Sequence, residues 1–238
     1  MKKIIGNFSL ILAVVMLITT GCSTVKKTNK AQRGAVIGAA GGAVIGGVIG
    51  NNVGKGNTVL GAIIGSVIGG VTGGIIGNSM DKQAEKIKNE IPGAEVQRVG
   101  EGIIVTFSEK NPDGSKMGVY FDFDKSDITA NSKLALDKLV QIFKEYPETN
   151  LLVEGHTDDK GGDSYNLALS ERRAMAVGNY LKSAGIAPSR LTINWYGETQ
   201  PKVENTDDVS RAENRRVEFG ITANEKMKEE ARKESGGK

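Results

Sequence analysis

One acidic and one basic side chain near the middle of the chain have the spacing to hold a small charged ligand. The apolar run 151–153 predicts a strand, and a polar turn then leads into a long helix-forming run, so Asp158 falls at the end of the strand. Arg173 lies seven residues after Asn166, close to two helical turns, so the two residues share a helix face. We expect that face to point back toward Thr157 and Asp158, with both charges over a shallow cleft.

Such a pair suits a zwitterionic ligand. The carboxylate of Asp158 can accept hydrogen bonds from an ammonium group, and the guanidinium of Arg173 can bind a carboxylate through two parallel hydrogen bonds. The alternative is a salt bridge between the helix and the loop on a solvated, charged face, which contributes little to stability. Spacing alone leaves both interpretations open.

Several short motifs occur in the order in which one known family has them. They are Gly155-His156-Thr157-Asp158, Tyr165-Asn166, Leu169-Ser170, Arg173-Ala174 and Asn214-Arg215-Arg216-Val217. Through these motifs, residues from about 118 to 221 resemble the OmpA-like peptidoglycan-binding domain. The resemblance implies that the ligand is peptidoglycan, bound without covalent chemistry through the diaminopimelate of its peptide stem.

The resemblance also assigns roles to individual residues. It implies that Asp158 binds the ammonium group of diaminopimelate and that Arg173 binds its carboxylate. Asn166 and Thr157 match supporting polar positions, and Asp122 matches an acid at the end of the first strand of the domain.

Hydrophobic patterning predicts the elements that position these residues. We expect an α+β domain over residues 117–222 with the order βαβαββ and helices on one side of the sheet. The predicted strands are 117–123, 151–153, 191–196 and 215–221. The first helix ends before Pro147 and carries an apolar stripe of Ile128, Ala135, Leu139, Phe143 and Tyr146. The second helix ends at Gly185 and carries a buried stripe of Leu167, Ala174, Val177 and Leu181. We expect a polar loop over 197–211 and a charged tail over 223–238 that is mobile or loosely helical.

The N-terminus has the layout of an export signal. Residues 1–21 carry two lysines, an apolar run too short to span a bilayer comfortably, and small residues before Cys22. The segment ending at Cys22, the only cysteine, resembles a bacterial lipobox, although Thr19 stands where Leu or Val is usual. The resemblance implies cleavage, lipidation of Cys22 and, with Ser23 following, transport to the outer membrane. Residues 22–33 then form a lipidated tether.

Residues 34–80 contain glycines at every fourth position in two uncharged arms. As helices, residues 34–54 and 59–80 would each present a glycine groove that allows close backbone packing, so we predict a helical hairpin that resembles a glycine zipper. Each arm is long enough to cross a membrane, and self-association into a homo-oligomer is the alternative to insertion. Residues 81–116 are predicted as a charged spacer followed by a β-hairpin next to the binding domain.

Composition and residue types exclude several other functions. The formal net charge of +3 over 238 residues does not indicate a nucleic-acid surface. His156 with Asp158, Asp159 and Asp163 resembles ordinary turn chemistry more than a metal site, so we expect no metal and no cofactor. The chain shows no paired nucleophile and base, so we expect no enzymatic activity. A cluster of three arginines could either fix the polar loop over 197–211 or contact peptidoglycan; they are Arg211, Arg215 and Arg216.

Together these features predict a lipid-anchored protein of the outer membrane, with its binding domain in the periplasm. Its partners would be peptidoglycan and, through acylated Cys22, outer-membrane lipid, so that it tethers the envelope to the wall. The alternative is an oligomeric membrane assembly driven by the glycine-rich hairpin, in which wall binding is secondary.

Overall fold

The computed structural model describes residues 58–66, 68–109 and 118–236, and these form a mixed α and β structure. The elements in chain order are α1 (Thr58–Gly65), α2 (Gly70–Glu90), β1 (Glu95–Val99), β2 (Gly102–Ser108), α3 (Ala130–Glu145), β3 (Thr149–His156), α4 (Asp163–Ser183), a short 3-10 turn (Pro188–Arg190), β4 (Leu191–Gly197), α5 (Asp208–Asn214), β5 (Arg216–Ala223) and α6 (Glu225–Gly236). The predicted α+β fold class is confirmed. The predicted signal peptide, Cys22, the tether and the first glycine arm lie outside the described residues.

The five strands form one sheet in the order β1-β2-β5-β3-β4. The hairpin of β1 and β2 joins this sheet directly, because β2 pairs antiparallel with β5. Strands β3 and β4 are parallel and are connected through α4, whereas β3 and β5 are antiparallel. The hairpin therefore contributes two strands to the sheet that carries the predicted site.

The main hydrophobic core lies between one face of the sheet and helices α2, α3, α4 and α6. Alternate residues of β5, which are Val217, Phe219 and Ile221, point into it, as the sequence predicts. In the predicted stripe of α3, Ala135, Leu139 and Phe143 are buried, while Ile128 and Tyr146 lie just outside the helix and are partly buried. The Phe143 ring packs near Phe219 with a centroid separation of 6.3 Å. In α4 the predicted stripe holds except for Leu167, which is 45% exposed, while Leu169 is buried.

Helix α1, which lies outside the predicted domain over 117–222, packs on the opposite face of the sheet from the helices of that domain. Val59 and Ile63 are buried there against Ile104, with Leu152 alongside. Those two sheet residues alternate with core-facing neighbours along β2 and β3, which places them on the other face. Part of the second glycine-rich arm thus packs against the five-stranded sheet of the same chain.

The second glycine arm is two helices rather than one continuous helix over 59–80, which corrects the prediction. Gly69 and Gly70 both have positive φ angles, 73° and 69°, and the chain changes direction between α1 and α2. The Glu101 side chain, from the hairpin turn, accepts hydrogen bonds from the backbone N–H groups of Ile68 at 2.9 Å and Gly69 at 2.7 Å. Within the described residues, no helix has the length and apolar character needed to cross a membrane.

The predicted strand over 117–123 is wrong for its described part, residues 118–123, which pair with no strand. Strand β2 occupies the place beside β5, so this segment is held by a side chain instead. The buried hydroxyl of Ser132 donates to the carbonyl of Tyr120 at 2.7 Å and accepts from its N–H at 2.8 Å. The apolar, strand-favouring residues of this segment therefore line a cavity and do not pair with a strand.

Two further predictions are corrected near the C-terminus. The polar loop predicted over 197–211 contains the start of α5, which begins at a capping box made by Asp207 and Ser210. The charged tail is helix α6, and its buried Met227 and Ala231 belong to the main core. A helix with so few apolar residues can still dock, because α2 provides an adjoining surface.

Candidate functional site

A cavity of about 550 Å³ opens beyond the carboxyl end of β3. Its walls come from the loop after β3, from one face of α4, from the irregular segment before α3 and from the start of β5. The charged side chains that line it are Glu109, Asp124, Asp158, Lys160, Arg173, Asp208, Arg215 and Arg216. Four of these are acidic and four are basic, so the cavity can meet both charges of a zwitterion.

Asp158 lies in this cavity and is 6% exposed. One oxygen of its carboxylate accepts a hydrogen bond from the backbone N–H of Lys160 at 3.1 Å, which is an ordinary turn contact. Its other oxygen pairs with the guanidinium Nη1 of Arg215. An ionised carboxylate has about four acceptor positions, so capacity remains for a ligand ammonium group.

Arg173 reaches the same cavity from α4 and is 9% exposed. Its Nε donates to the carbonyl of Lys125 at 3.0 Å and its Nη2 lies 3.4 Å from the carbonyl of Asp122. The guanidinium carbon also stands 5.1 Å above the centre of the Phe121 ring, a cation–π contact. Burial lowers the pKa of Arg173, although the group stays charged at neutral pH.

Within the described part of the chain, no carboxylate forms a salt bridge with Arg173. Its bonded partners are neutral carbonyls, which fix the side chain without neutralising it. Because a buried charge is costly when it is unpaired, an anionic group in the cavity would relieve that cost. This geometry therefore leaves the Arg173 guanidinium ready to bind a carboxylate group of a ligand.

Thr157 and Asn166 flank the two charged residues, as predicted, and both are buried cavity residues. The amide of Asn166 donates to the carbonyl of Asp158 at 3.2 Å and also to Glu198, so it fixes the loop that carries the acid. The Thr157 backbone N–H donates to Gly197 at 2.9 Å, while its hydroxyl has no protein partner among the described residues. That hydroxyl is a buried polar group next to Asp158.

Gly197 allows this close approach between the end of β4 and α4. Its φ is 54°, and an added Cβ would lie 2.9 Å from the backbone nitrogen of Leu167. The Ser170 hydroxyl accepts from the Gly197 N–H at 2.8 Å. Any larger residue here would push α4, and with it Asn166 and Arg173, away from the loop after β3.

The structure does not bring the Asp122 carboxylate into the cavity. That side chain is exposed and lies 3.7 Å from Lys125, and only the Asp122 carbonyl meets Arg173. The cavity rim near it is formed instead by Phe123, which is almost fully exposed, and by Tyr165, whose hydroxyl donates to Asp124. A ligand would meet aromatic surface here rather than a second acid.

The three arginines near β5 have separate contacts. Arg211 donates to Asp159 at 2.7 Å and to the carbonyl of Asn205 at 3.2 Å, which fixes the polar loop. Arg215 lines the cavity and pairs with both Asp158 and Glu109; burial lowers its pKa, but the two hydrogen bonds raise it overall. The role of Arg215 as partner of Asp158 has no signal in the spacing, because fifty-seven residues separate them.

Two family models match the chain, the OmpA family over residues 120–215 and the YMGG-like Gly-zipper over residues 1–81. The chain carries an OmpA family domain. All the polar residues of the cavity that the sequence predicts, including Asp158 and Arg173, lie within that OmpA family domain.

Individual relatives match part of the chain. Outer membrane porin F of Pseudomonas fluorescens is 45% identical over 108 residues, which are 45% of this chain and 33% of that protein. Peptidoglycan-associated lipoprotein of Pseudomonas aeruginosa is 41% identical over 100 residues, 42% of this chain and 59% of that protein. The matches thus span from about a third to about three fifths of these relatives. A solved MotB-like protein from Desulfovibrio vulgaris shares the fold at a TM-score of 0.54 and 24% identity, over 62% of this chain and 93% of its own.

Proposed function

We propose that this protein binds peptidoglycan noncovalently through the diaminopimelate of the peptide stem. Arg173 carries the proposal, because it is a buried, cavity-lining guanidinium without a carboxylate partner among the described residues. Asp158 lines the same cavity and provides the opposite charge. The names of the similar lipoproteins and the OmpA family match support peptidoglycan as the ligand class.

In the bound state, the side-chain end of diaminopimelate would place its carboxylate at Arg173 and its ammonium group at Asp158. The bonds described above use Nε and Nη2 of Arg173, which leaves donor hydrogens for a ligand. Asn166 holds the loop that carries Asp158, and the Thr157 hydroxyl has no protein partner in the described structure. The Phe123 and Tyr165 rings form the rim of the cavity. No step makes or breaks a covalent bond, so the cavity acts as a clamp.

Capture by purified diaminopimelate-type sacculi tests this clamp. Asp158→Ala or Arg173→Ala should weaken capture by roughly 30-fold, because each leaves one ligand charge unpaired, at about 2 kcal/mol. Arg172→Ala, an exposed neighbour on the same helix, and Asp127→Asn, another exposed site, are matched controls that should leave capture unchanged. Full capture by both cavity variants would contradict the proposal.

We further propose that acylated Cys22 anchors the protein in the outer membrane, so that wall binding tethers the envelope. The layout of residues 1–22 and the similarity to peptidoglycan-associated lipoproteins support this anchor. Cells fed labelled palmitate should incorporate the label into the wild-type chain and not into Cys22→Ser. An unlabelled wild-type chain would contradict the anchor while leaving the clamp intact.

A further inference from the structure

Beside the cavity, on the sheet face that α1 covers, three metal-ligating side chains come together on β3 and β5. Glu154, His156 and Glu218 each offer a ligand atom, and these atoms lie within 4.8 Å of one another. The pairing register sets Glu154 directly opposite Glu218. All three residues are buried, with exposed fractions of 0%, 1% and 2%.

The buried polar atoms of this cluster lack the partners that buried groups normally have. Both ring nitrogens of His156, both carboxylate oxygens of Glu154 and one oxygen of Glu218 have no hydrogen bond of good geometry within the described structure. Asn194 and the backbone of Val59 lie near Glu154, but neither makes a hydrogen bond of good geometry with its carboxylate. A fully buried imidazole with two free nitrogens between two carboxylates is costly unless something binds them.

The charge balance of the cluster points to a cation. Two carboxylates face one permanent positive charge, Arg216, whose Nε donates to Glu218 at 2.7 Å.

We propose that Glu154, His156 and Glu218 bind one zinc ion. One imidazole nitrogen and two carboxylate oxygens are a donor set that zinc accepts, with a fourth position left for water. The Nε2 of His156 lies 3.7 Å from an oxygen of Glu154, near the spacing of about 3.3 Å that tetrahedral zinc requires. The widest pair must close by up to about 1.5 Å, which rotation of the glutamate side chains can supply.

The surrounding groups suit this assignment. Arg216 holds one oxygen of Glu218 and leaves the other free, and the Tyr196 ring stacks on His156 at 5.6 Å and fixes its plane. His156 also lines the large cavity, which provides a route for the ion from solvent. The sequence also places Asp159 near His156, but the Asp159 carboxylate pairs with Arg211 and does not belong to this cluster.

The test uses the full mature chain in detergent, with any free thiol alkylated. The protein is first stripped of metal with EDTA. It is then titrated with zinc at pH 7.5 in competition with a chromophoric chelator. The wild-type chain should bind one zinc ion, and its melting temperature should rise by about 5–10 °C when zinc is at 100 times Kd. His156→Ala and Glu154→Gln should each weaken binding at least tenfold. Glu229→Gln, an exposed acid on α6, should bind like wild type.

The near-isosteric Glu154→Gln variant keeps the test valid if His156→Ala does not fold. A wild-type chain that takes up no zinc, or uptake that survives in both variants, would overturn the site. Sacculus capture in EDTA separates this result from the clamp, because the clamp uses Asp158 and Arg173 and does not require zinc.

Discussion

Asp158 and Arg215 form an ion pair across the cavity, between the loop after β3 and the start of β5. Asp158 is nearly buried, whereas the other partner of Arg215, Glu109, is half exposed. This pairing means that the acid of the clamp is held in place before any ligand arrives. It also means that Arg215 and Arg173 both present positive charge to the cavity.

Arg215→Ala should lower the free energy of unfolding by about 2 kcal/mol, because Asp158 is left buried without its cation. Urea denaturation followed by circular dichroism measures the change. Glu109→Gln removes only the more exposed partner and should change stability by less than about 0.5 kcal/mol. Equal losses in the two variants would show that burial of Asp158 does not govern the energy of this pair.

Ser132→Ala should destabilise the protein by about 2 kcal/mol, because it removes both hydrogen bonds between the buried Ser132 hydroxyl and the backbone of Tyr120. The segment 118–123 has no ladder bonds to replace it. Ser183→Ala is the matched control, since that exposed hydroxyl bonds only to the carbonyl three residues earlier. Hydrogen exchange at Tyr120 should accelerate in Ser132→Ala alone, and unchanged exchange would contradict this role of the hydroxyl.

Glu101→Gln should cost about 1–2 kcal/mol, because an amide keeps only one of the two acceptor oxygens that receive the N–H groups of Ile68 and Gly69. Glu85→Gln, on the exposed side of α2, is the control and should be neutral. Thermal unfolding of the wild-type chain and the two variants measures these differences in stability. If both substitutions are neutral, the hairpin turn does not stabilise the start of α2.

The sequence predicts the parts of this structure that depend on local pattern. The stripe of α3, the alternation along β5 and the end of α4 at Gly185 all follow from period and turn chemistry. Asp158 and Arg173 reach one cavity because a strand end and a helix face fix their directions.

What the sequence could not predict depends on pairing between distant segments. The run 118–123 has strand-forming residues, but β2 takes the position beside β5 and leaves it without a ladder. The break between α1 and α2 depends on Glu101, which lies more than thirty residues away. The exposed carboxylate of Asp122 follows from the same lost strand, since no pleat directs it into the cavity.

The most direct measurement compares two stem peptides that differ only in diaminopimelate or lysine at one position, titrated calorimetrically into the wild-type chain and Arg173→Ala. The account predicts that the wild-type chain binds the diaminopimelate peptide roughly 30-fold more tightly, since lysine lacks the carboxylate for Arg173, and that Arg173→Ala abolishes the difference. Equal affinity of the wild-type chain for both peptides would contradict it.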